Sequence, residues 1–249
     1  MGEMSPWSRT VVALAAVLVG VSKTGVPGVG IVAITWMASV LPARASTGLI
    51  LPLLIAGDVL AVAWYRRHAV WSHLWKLLPC AVLGILIGYR LLAQVNDRQL
   101  RPIIGGIILV LLALNAWRNR RGAEATAIPR GWWFAGLLGV SAGVTTMMAN
   151  AAGPIMTIYL LAMRLPKQEF IGTGAWYFLL VNLFKVPFSA DLGLITAESL
   201  KFNLWLLPAV ALGGVLGVLL LRRIPERAFQ AAVQILAVAG AVKLLWPAG

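Results

Sequence analysis

Seven polar residues are candidates for chemistry because they lie deep within the apolar segments or at the interruptions between them. They are Lys23, Asp58, Thr145, Thr146, Asn150, Asn182 and Lys185. An ionisable group in such a stretch costs about 2.5–3.5 kcal/mol to bury in a membrane and usually faces a cavity or a partner. A lysine can bind an anion there, an aspartate can carry a proton, and amides and hydroxyls can donate hydrogen bonds. These residue types therefore indicate binding of a small anion.

Lys23 stands at the start of a Gly/Pro-rich run, Lys23-Thr24-Gly25-Val26-Pro27-Gly28, that interrupts two apolar segments. The segment after the run would expose helix N-terminal amides, which carry a partial positive charge. Lys23, Thr24, Gly25 and Gly28 are therefore candidate anion-binding residues. The alternative is that Lys23 extends its ammonium to a membrane interface.

A second interruption, Asn150-Ala151-Ala152-Gly153-Pro154, occupies the corresponding place in the other half of the chain. It places proline in the first helical turn, where the missing amide hydrogen is best tolerated. Asn150, Gly153 and the hydroxyls of Thr145 and Thr146 are further binding candidates. The alternative for the polar side chains is hydrogen bonding between helices.

Asp58 and Asn182 coincide when the chain is shifted by 124 residues, as do Pro42 with Pro166 and Gly48 with Gly172. Both polar residues are near the middle of long apolar segments, so Asp58 is expected to carry protons or to pair with a lysine such as Lys23. Asn182 and Lys185 share a helix face, and Lys185 either lines a cavity or marks the end of its helix.

Catalytic and metal-binding arrangements are missing from the sequence. No HExxH, GxSxG or Gly-rich Walker loop occurs, and Cys80 is the single cysteine. His68 and His73 stand beside Trp71 and Trp75, a composition typical of a membrane interface. The sequence therefore predicts no enzyme, no cofactor and no metal site.

The composition is that of an integral membrane protein. Of 249 residues, 60% are hydrophobic and only 12% are charged, too few charges for the surface of a soluble domain. The net charge of +13 comes largely from clusters between apolar runs, such as Arg66 and Arg67 or Arg222 and Arg223. This is the pattern of cytoplasmic loops, and it argues against a nucleic-acid-binding face.

The apolar segments form two series of five, each with two short pieces followed by three long ones. They cover residues 10–22, 29–41, 46–65, 74–93 and 100–117, then 132–148, 154–163, 171–190, 204–221 and 229–246. A shift of 129 residues gives ten ungapped identities in 41 positions, including Pro79 with Pro208 and Trp117 with Trp246. We therefore predict an all-α integral membrane protein with repeats at residues 1–117 and 131–249 and a cytoplasmic linker at 118–130.

Loop charges favour inverted repeats. If each short pair is a hairpin that enters and leaves the membrane on one side, the repeats are inverted, and 11 Lys and Arg residues lie on the cytoplasmic side and 8 on the other. If each short pair makes one continuous span, the repeats are parallel, and the two sides carry 10 and 9. The inverted model has the larger cytoplasmic excess that the positive-inside rule expects. Each predicted repeat is thus a short-helix hairpin plus three transmembrane helices. Matching Gly/Pro interruptions in two repeats also point to a transporter binding site.

Three stretches of the first half resemble the sulfite exporter TauE/SafE family, also called the toluene sulfonate uptake permease family. They are GVSKTGVPGVG (20–30), LPARASTG (41–48) and GDVLAVAWYRRHAVW (57–71). The second half matches its second repeat in GVSAGVTTMMANAAGPIMTIYLL (139–161), LPKQEFIGTGAWYF (165–178) and NLFKVP (182–187). The resemblance covers nearly the whole chain.

The resemblance implies a multi-pass transporter of the inner (plasma) membrane that moves sulfite, sulfonates or related small organosulfur anions. We expect export by alternating access, with the anion between the two hairpins. The alternatives are an anion channel, which would not saturate, and a membrane scaffold, which would need no deep polar residues. The expected partners are the anion and the lipid bilayer, and the sequence leaves homo-oligomerisation and the transport direction open.

Overall fold

The computed structural model describes residues 5–26, 28–96, 98–100, 102–107, 109–110, 113, 132–163 and 165–223. Its helices are α1 Pro6–Thr24, α2 Val29–Val40, α3 Ala43–Tyr65, α4 Trp71–Gln94, α5 Trp132–Ala149, α6 Gly153–Ala162, α7 Lys167–Asp191 and α8 Ala197–Arg223, with a 3₁₀ turn at Arg66–His68. Part of the predicted segment 100–117 is helical, whereas the linker 118–130 and the segment 229–246 lie outside the described residues. The proposed domain boundaries therefore stay predictions.

In the part of the chain that the structure describes, five helices are long and apolar enough to cross a bilayer. They are Ala43–His68, Trp71–Gln94, Trp132–Ala149, Gln168–Asp191 and Ala197–Leu220. A hydrocarbon core about 30 Å thick needs about 20 apolar residues in a helix, and these spans meet or approach that length. The predicted all-α, multi-pass membrane protein is confirmed.

Each predicted hairpin combines one long helix with one short helix. Helices α1 and α5 have 19 and 18 residues, whereas α2 and α6 have 12 and 10. Helix α1 begins before the predicted run 10–22 because Pro6 occupies its first turn and the Ser5 hydroxyl accepts a hydrogen bond from the Ser8 amide at 3.1 Å. Of these four helices, α2 and α6 are too short to span the bilayer.

Helices α3 and α7 cross in opposite directions at the centre of the molecule. Gly48 packs against the Leu194 carbonyl at one end of the crossing, and Gly172 packs against Tyr65 and His68 at the other, with no room for a Cβ at either glycine. Asp58 is ten residues from both Gly48 and His68 along the chain, which corresponds to about 15 Å in a helix. The crossing therefore places Asp58 at about half the depth of the bilayer.

Two further helix pairs pack through glycines and run in the same direction. In the α4–α5 pair, Gly84 lies against Gly143, and Gly88 lies against Met147. In the α1–α8 pair, Gly213 packs against Val17, and Gly217 packs against Val21. In the predicted repeats, α1 corresponds to α5 and α4 corresponds to α8, so each pair joins one helix of each repeat and the two pairs are equivalent. This is the pattern expected of inverted repeats, and the inversion itself remains a prediction.

Exposed tryptophans lie toward the ends of the helices. Trp7 and Trp205, which are 70% and 86% exposed, lie near the starts of the parallel helices α1 and α8. A second group lies at the opposite end of α3 and at the starts of α4 and α5: Trp64, Trp71, Trp75, Trp132 and Trp133. Tryptophan favours membrane interfaces, so these two groups mark the two faces of the bilayer.

Gly143→Ala tests the α4–α5 contact, because a methyl group at this position would meet the backbone carbonyl of Ala81. We expect a loss of about 1–3 kcal/mol in the free energy of unfolding, as for other overpacked contacts. The matched control is Gly136→Ala on the same helix, where the nearest atom, Cys80 Sγ, is 3.8 Å from the added carbon. Equilibrium unfolding in mixed micelles measures both variants, and equal stability of the two would contradict the packing.

Candidate binding site

The end of α1 carries a buried ion pair with the middle of α3. Lys23 Nζ lies 2.8 Å from Asp58 Oδ1, and the aspartate side chain is fully buried. The same ammonium lies 4.2 Å from the centre of the Phe178 ring on α7. An ion pair in low dielectric is retained only when its geometry is good and its remaining lone pairs are satisfied. Here the second carboxylate oxygen accepts a hydrogen bond from Asn182 Nδ2 at 2.7 Å.

Lys185, one turn beyond Asn182 on α7, is a second buried ammonium. It is only 1% exposed, and Nζ donates to Asn150 Oδ1 at 2.6 Å, Thr146 Oγ1 at 3.1 Å and Asn182 Oδ1 at 3.4 Å. All three acceptors are neutral. Among the described residues, Asp58 is the carboxylate connected to Lys185, through Asn182, and it is already paired with Lys23.

Asn150 closes the tip of the second hairpin. Its backbone has φ 53°, a left-handed conformation that asparagine tolerates better than most residues and that ends α5. Its Nδ2 donates to the Thr47 carbonyl of α3 at 3.1 Å, while its Oδ1 accepts from Lys185. The side chain thus ties the hairpin tip to both crossing helices.

A cavity of about 90 Å³ lies between the two hairpin tips and α7. Its polar wall contains Ser22, Lys23, Asp58, Thr146, Asn150, Thr157 and Asn182, and its remaining wall is glycine, proline, alanine and larger apolar residues. Gly28 has φ 108°, a backbone conformation that disfavours other residues, and it brings the chain to the cavity beside Lys23. Irregular backbone at this depth is tolerated where it borders such a cavity.

The cavity extends unequally from the level of the Asp58–Asn182 contact. Toward the end of the molecule that carries Arg66 it reaches Phe170, twelve residues from Asn182, or about 18 Å along α7. Toward the other end it reaches Leu54, which is about 6 Å from Asp58 along α3, and Ile34, which is about 9 Å from Gly28 along α2.

At that other end, the Arg44 guanidinium donates to carbonyls beyond the cavity. Its acceptors are Leu92 at 3.1 Å, Val95 at 2.9 Å and Leu192 at 3.3 Å. Arg44 thus joins the start of α3 to the C-terminal ends of α4 and α7. At the end of the molecule that carries Arg44, these hydrogen bonds and the Gly48–Leu194 contact connect α3 to the ends of α4 and α7.

A family model described as "Sulfite exporter TauE/SafE" matches residues 12–244. The chain belongs to this family. The probable inner membrane transporter protein TsaS of Comamonas testosteroni is 29% identical over 206 residues, which are 80% of this chain and 83% of TsaS. No solved structure matches the chain. The protein is therefore a membrane transporter and not an enzyme.

In this TauE/SafE transporter, most of the residues singled out in the sequence lie around one cavity. Those that line it are Lys23, Gly25, Gly28, Asp58, Thr146, Asn150, Gly153 and Asn182. Lys185 lies behind Asn150 and Asn182 and contacts both. Thr24 and Thr145 do not line the cavity, because their hydroxyls donate to backbone carbonyls of Gly214 at 2.7 Å and of Ser141 at 2.9 Å.

Other residues of the cavity wall were not predicted from the sequence. Phe178 supports the Lys23 ammonium and lines the cavity, as does Phe170 two turns earlier on α7. Phe178, Asn182 and Lys185 are spaced four and three residues apart, so the helical period would have placed them on one face. Thr157 on α6 lines the cavity too, without a comparable signal in the sequence.

Replacing one member of the Lys23–Asp58 pair should cost more stability than replacing both. Lys23→Met leaves a buried carboxylate without its cation, for which we expect a loss of about 3–5 kcal/mol in the free energy of unfolding. The double variant Lys23→Met/Asp58→Leu should be more stable than this single variant. Tyr89→Phe, which removes an exposed hydrogen bond to Asp191, serves as the control and should change stability little. Additive losses in a double-mutant cycle would contradict the pairing.

Proposed function

We propose that this transporter moves a small organosulfur anion across the inner membrane and binds it beside Lys23, between the hairpin tips that contain Gly25 and Gly28 and residues 150–152. The observation that carries the proposal is an ammonium lining a cavity at mid-membrane depth. The family description names sulfite export, and the name of the relative TsaS describes an inner membrane transporter. Both are consistent with an anionic solute.

The cavity wall offers the groups that an oxyanion requires. Lys23 supplies a positive charge, the amide groups of Asn150 and Asn182 and the Thr146 hydroxyl also line the cavity, and helices α2 and α6 begin there. Helix N-termini attract anions through their exposed amides and the helix dipole. In our proposal the bound anion replaces Asp58 as the partner of the Lys23 ammonium.

Alternating access would then proceed by movement of the hairpins relative to the crossing helices. The positive-inside rule assigns the end with Arg66 and Arg67 to the cytoplasm. Because the cavity extends farther toward this end, we interpret the structure as an inward-facing state. Moving the hairpin tips away from Thr47 and Lys185 would open the opposite side.

The driving force for export can come from the membrane potential, which is worth about 2.3 kcal/mol per charge per 100 mV and expels anions from the cell. Asp58 adds a second possibility. Its carboxylate competes with the anion for Lys23, so protonation of Asp58 would free the ammonium for the substrate. Transport would in this case be coupled to proton movement.

Lys23→Gln should abolish saturable anion flux. Removing one partner of a buried charged contact typically costs about 2–5 kcal/mol, which corresponds to roughly 30-fold weaker binding or more. The measurement is flux of sulfite and small sulfonates into proteoliposomes that contain equal amounts of folded protein. Lys76→Gln is the matched control, because Lys76 lies on α4 against the Trp132 ring and does not line the cavity.

The double variant Lys23→Gln/Asp58→Asn removes both charges with little change in shape, so it distinguishes loss of binding from loss of folding. It should fold and still fail to bind. Wild-type flux in either folded variant would contradict the proposed role of Lys23, and flux that does not saturate with concentration would indicate a channel.

Asp58→Asn tests proton coupling, because asparagine keeps the shape of the side chain but cannot carry the proton. We expect the variant to lose the response of anion flux to an imposed pH difference across proteoliposomes. If both the flux and its pH dependence stay at wild-type levels, Asp58 has no proton-carrying role.

A further inference from the structure

The wall of the cavity combines polar and large apolar side chains. Lys23, Asp58 and Asn182 contact one another at mid-membrane. From this contact toward the end with Arg66, the wall includes the apolar side chains of Phe178, Leu160 and Phe170, which we call the apolar body. Ile31, Ile34 and Met156 also line the cavity. A bare oxyanion such as sulfite or sulfate has no apolar surface to offer these side chains. The wall instead fits a solute with one anionic head and a carbon body.

The charges of the network limit the charge of that solute. Among the described residues it contains two lysines, Lys23 and Lys185, and one carboxylate, Asp58, which gives a formal charge of +1. An uncompensated charge at this depth is expensive. While Asp58 is ionised, a monoanion brings the site to neutrality, whereas a dianion leaves one negative charge and a zwitterion leaves the positive charge unchanged.

The volume limits the size of the carbon body. An apolar cavity of about 150 Å³ is known to hold benzene, whereas this cavity has about 90 Å³ for the head and the body together. An aromatic ring with a sulfonate group therefore exceeds this volume, whereas one or two carbon atoms attached to the anionic head come closer to it.

We infer that the site selects small alkanesulfonate monoanions, of which methanesulfonate and ethanesulfonate are the simplest, over sulfite, sulfate and arylsulfonates. The inference rests on the proposed function, since it concerns the same cavity. The sulfonate lies against Lys23, Asn150 and Asn182, and the alkyl group points along α7 toward Leu160 and Phe170.

Gly174 provides a way to test the position of the alkyl group. This residue lines the cavity on α7, and a Cβ added there would be 3.6 Å from Leu160 Cδ1, an ordinary contact. Gly174→Ala should therefore fold normally while taking the space of about one carbon atom from the apolar body. Gly136→Ala on α5 is the control, because it also has room for the methyl group and lies outside the cavity.

The experiment measures binding by calorimetry, and competition for flux in proteoliposomes, for methanesulfonate, ethanesulfonate, sulfite, sulfate, taurine and toluene sulfonate. We expect the two alkanesulfonates to bind at least about tenfold more tightly than the dianion sulfate, the zwitterion taurine or toluene sulfonate. Sulfite should bind more weakly than methanesulfonate. Gly174→Ala should weaken ethanesulfonate roughly tenfold or more relative to methanesulfonate, and Gly136→Ala should not.

The possible results separate the two proposals. If sulfite, sulfate or toluene sulfonate binds as tightly as the alkanesulfonates, or if Gly174→Ala affects methanesulfonate and ethanesulfonate equally, the selectivity inferred here is wrong and the anion transporter stands. If none of the six compounds binds or is carried by folded wild-type protein, the proposed organosulfur transport fails as well.

Discussion

A carboxylate between two ammonium groups at the centre of a membrane protein is the constraint on which the rest of the structure depends. Asp58 pairs with Lys23 and accepts a hydrogen bond from Asn182, whose carbonyl oxygen in turn accepts one from Lys185. Charges at this depth are stable only when their partners are held in place. The close glycine contacts at both ends of the α3–α7 crossing supply that rigidity.

The close glycine contacts occur at equivalent positions of the sequence repeat, whereas the charged residues of the cavity do not. Gly48 and Gly172 occupy equivalent positions and each packs against the segment that follows the partner helix. At the centre, Asp58 faces its own equivalent, Asn182, and the position equivalent to Lys185 is Ala61. The two predicted repeats thus differ at the cavity, and we propose that the net positive charge left by this difference binds the anion.

The sequence predicted the membrane class, the positions of both hairpins and the depth of Asp58, because apolar run length and Gly/Pro interruptions are local properties. It could also suggest Lys23 as the partner of Asp58, since few cations were near enough in depth. It could not predict that Lys185 would be enclosed by Thr146 and Asn150, because that contact depends on how two helices cross. The separation of Thr24 from the cavity likewise results from its hydrogen bond to α8.

The most direct test of the central claim is an experimental structure with a bound bromomethanesulfonate, in which anomalous scattering locates the bromine. We predict that the sulfonate lies within hydrogen-bonding distance of Lys23 Nζ, between the hairpin tips that contain Gly25 and Gly28 and residues 150–152, with the bromine pointing toward Leu160 and Phe170. An anion found elsewhere, with the Lys23–Asp58 cavity empty at saturating ligand, would contradict it.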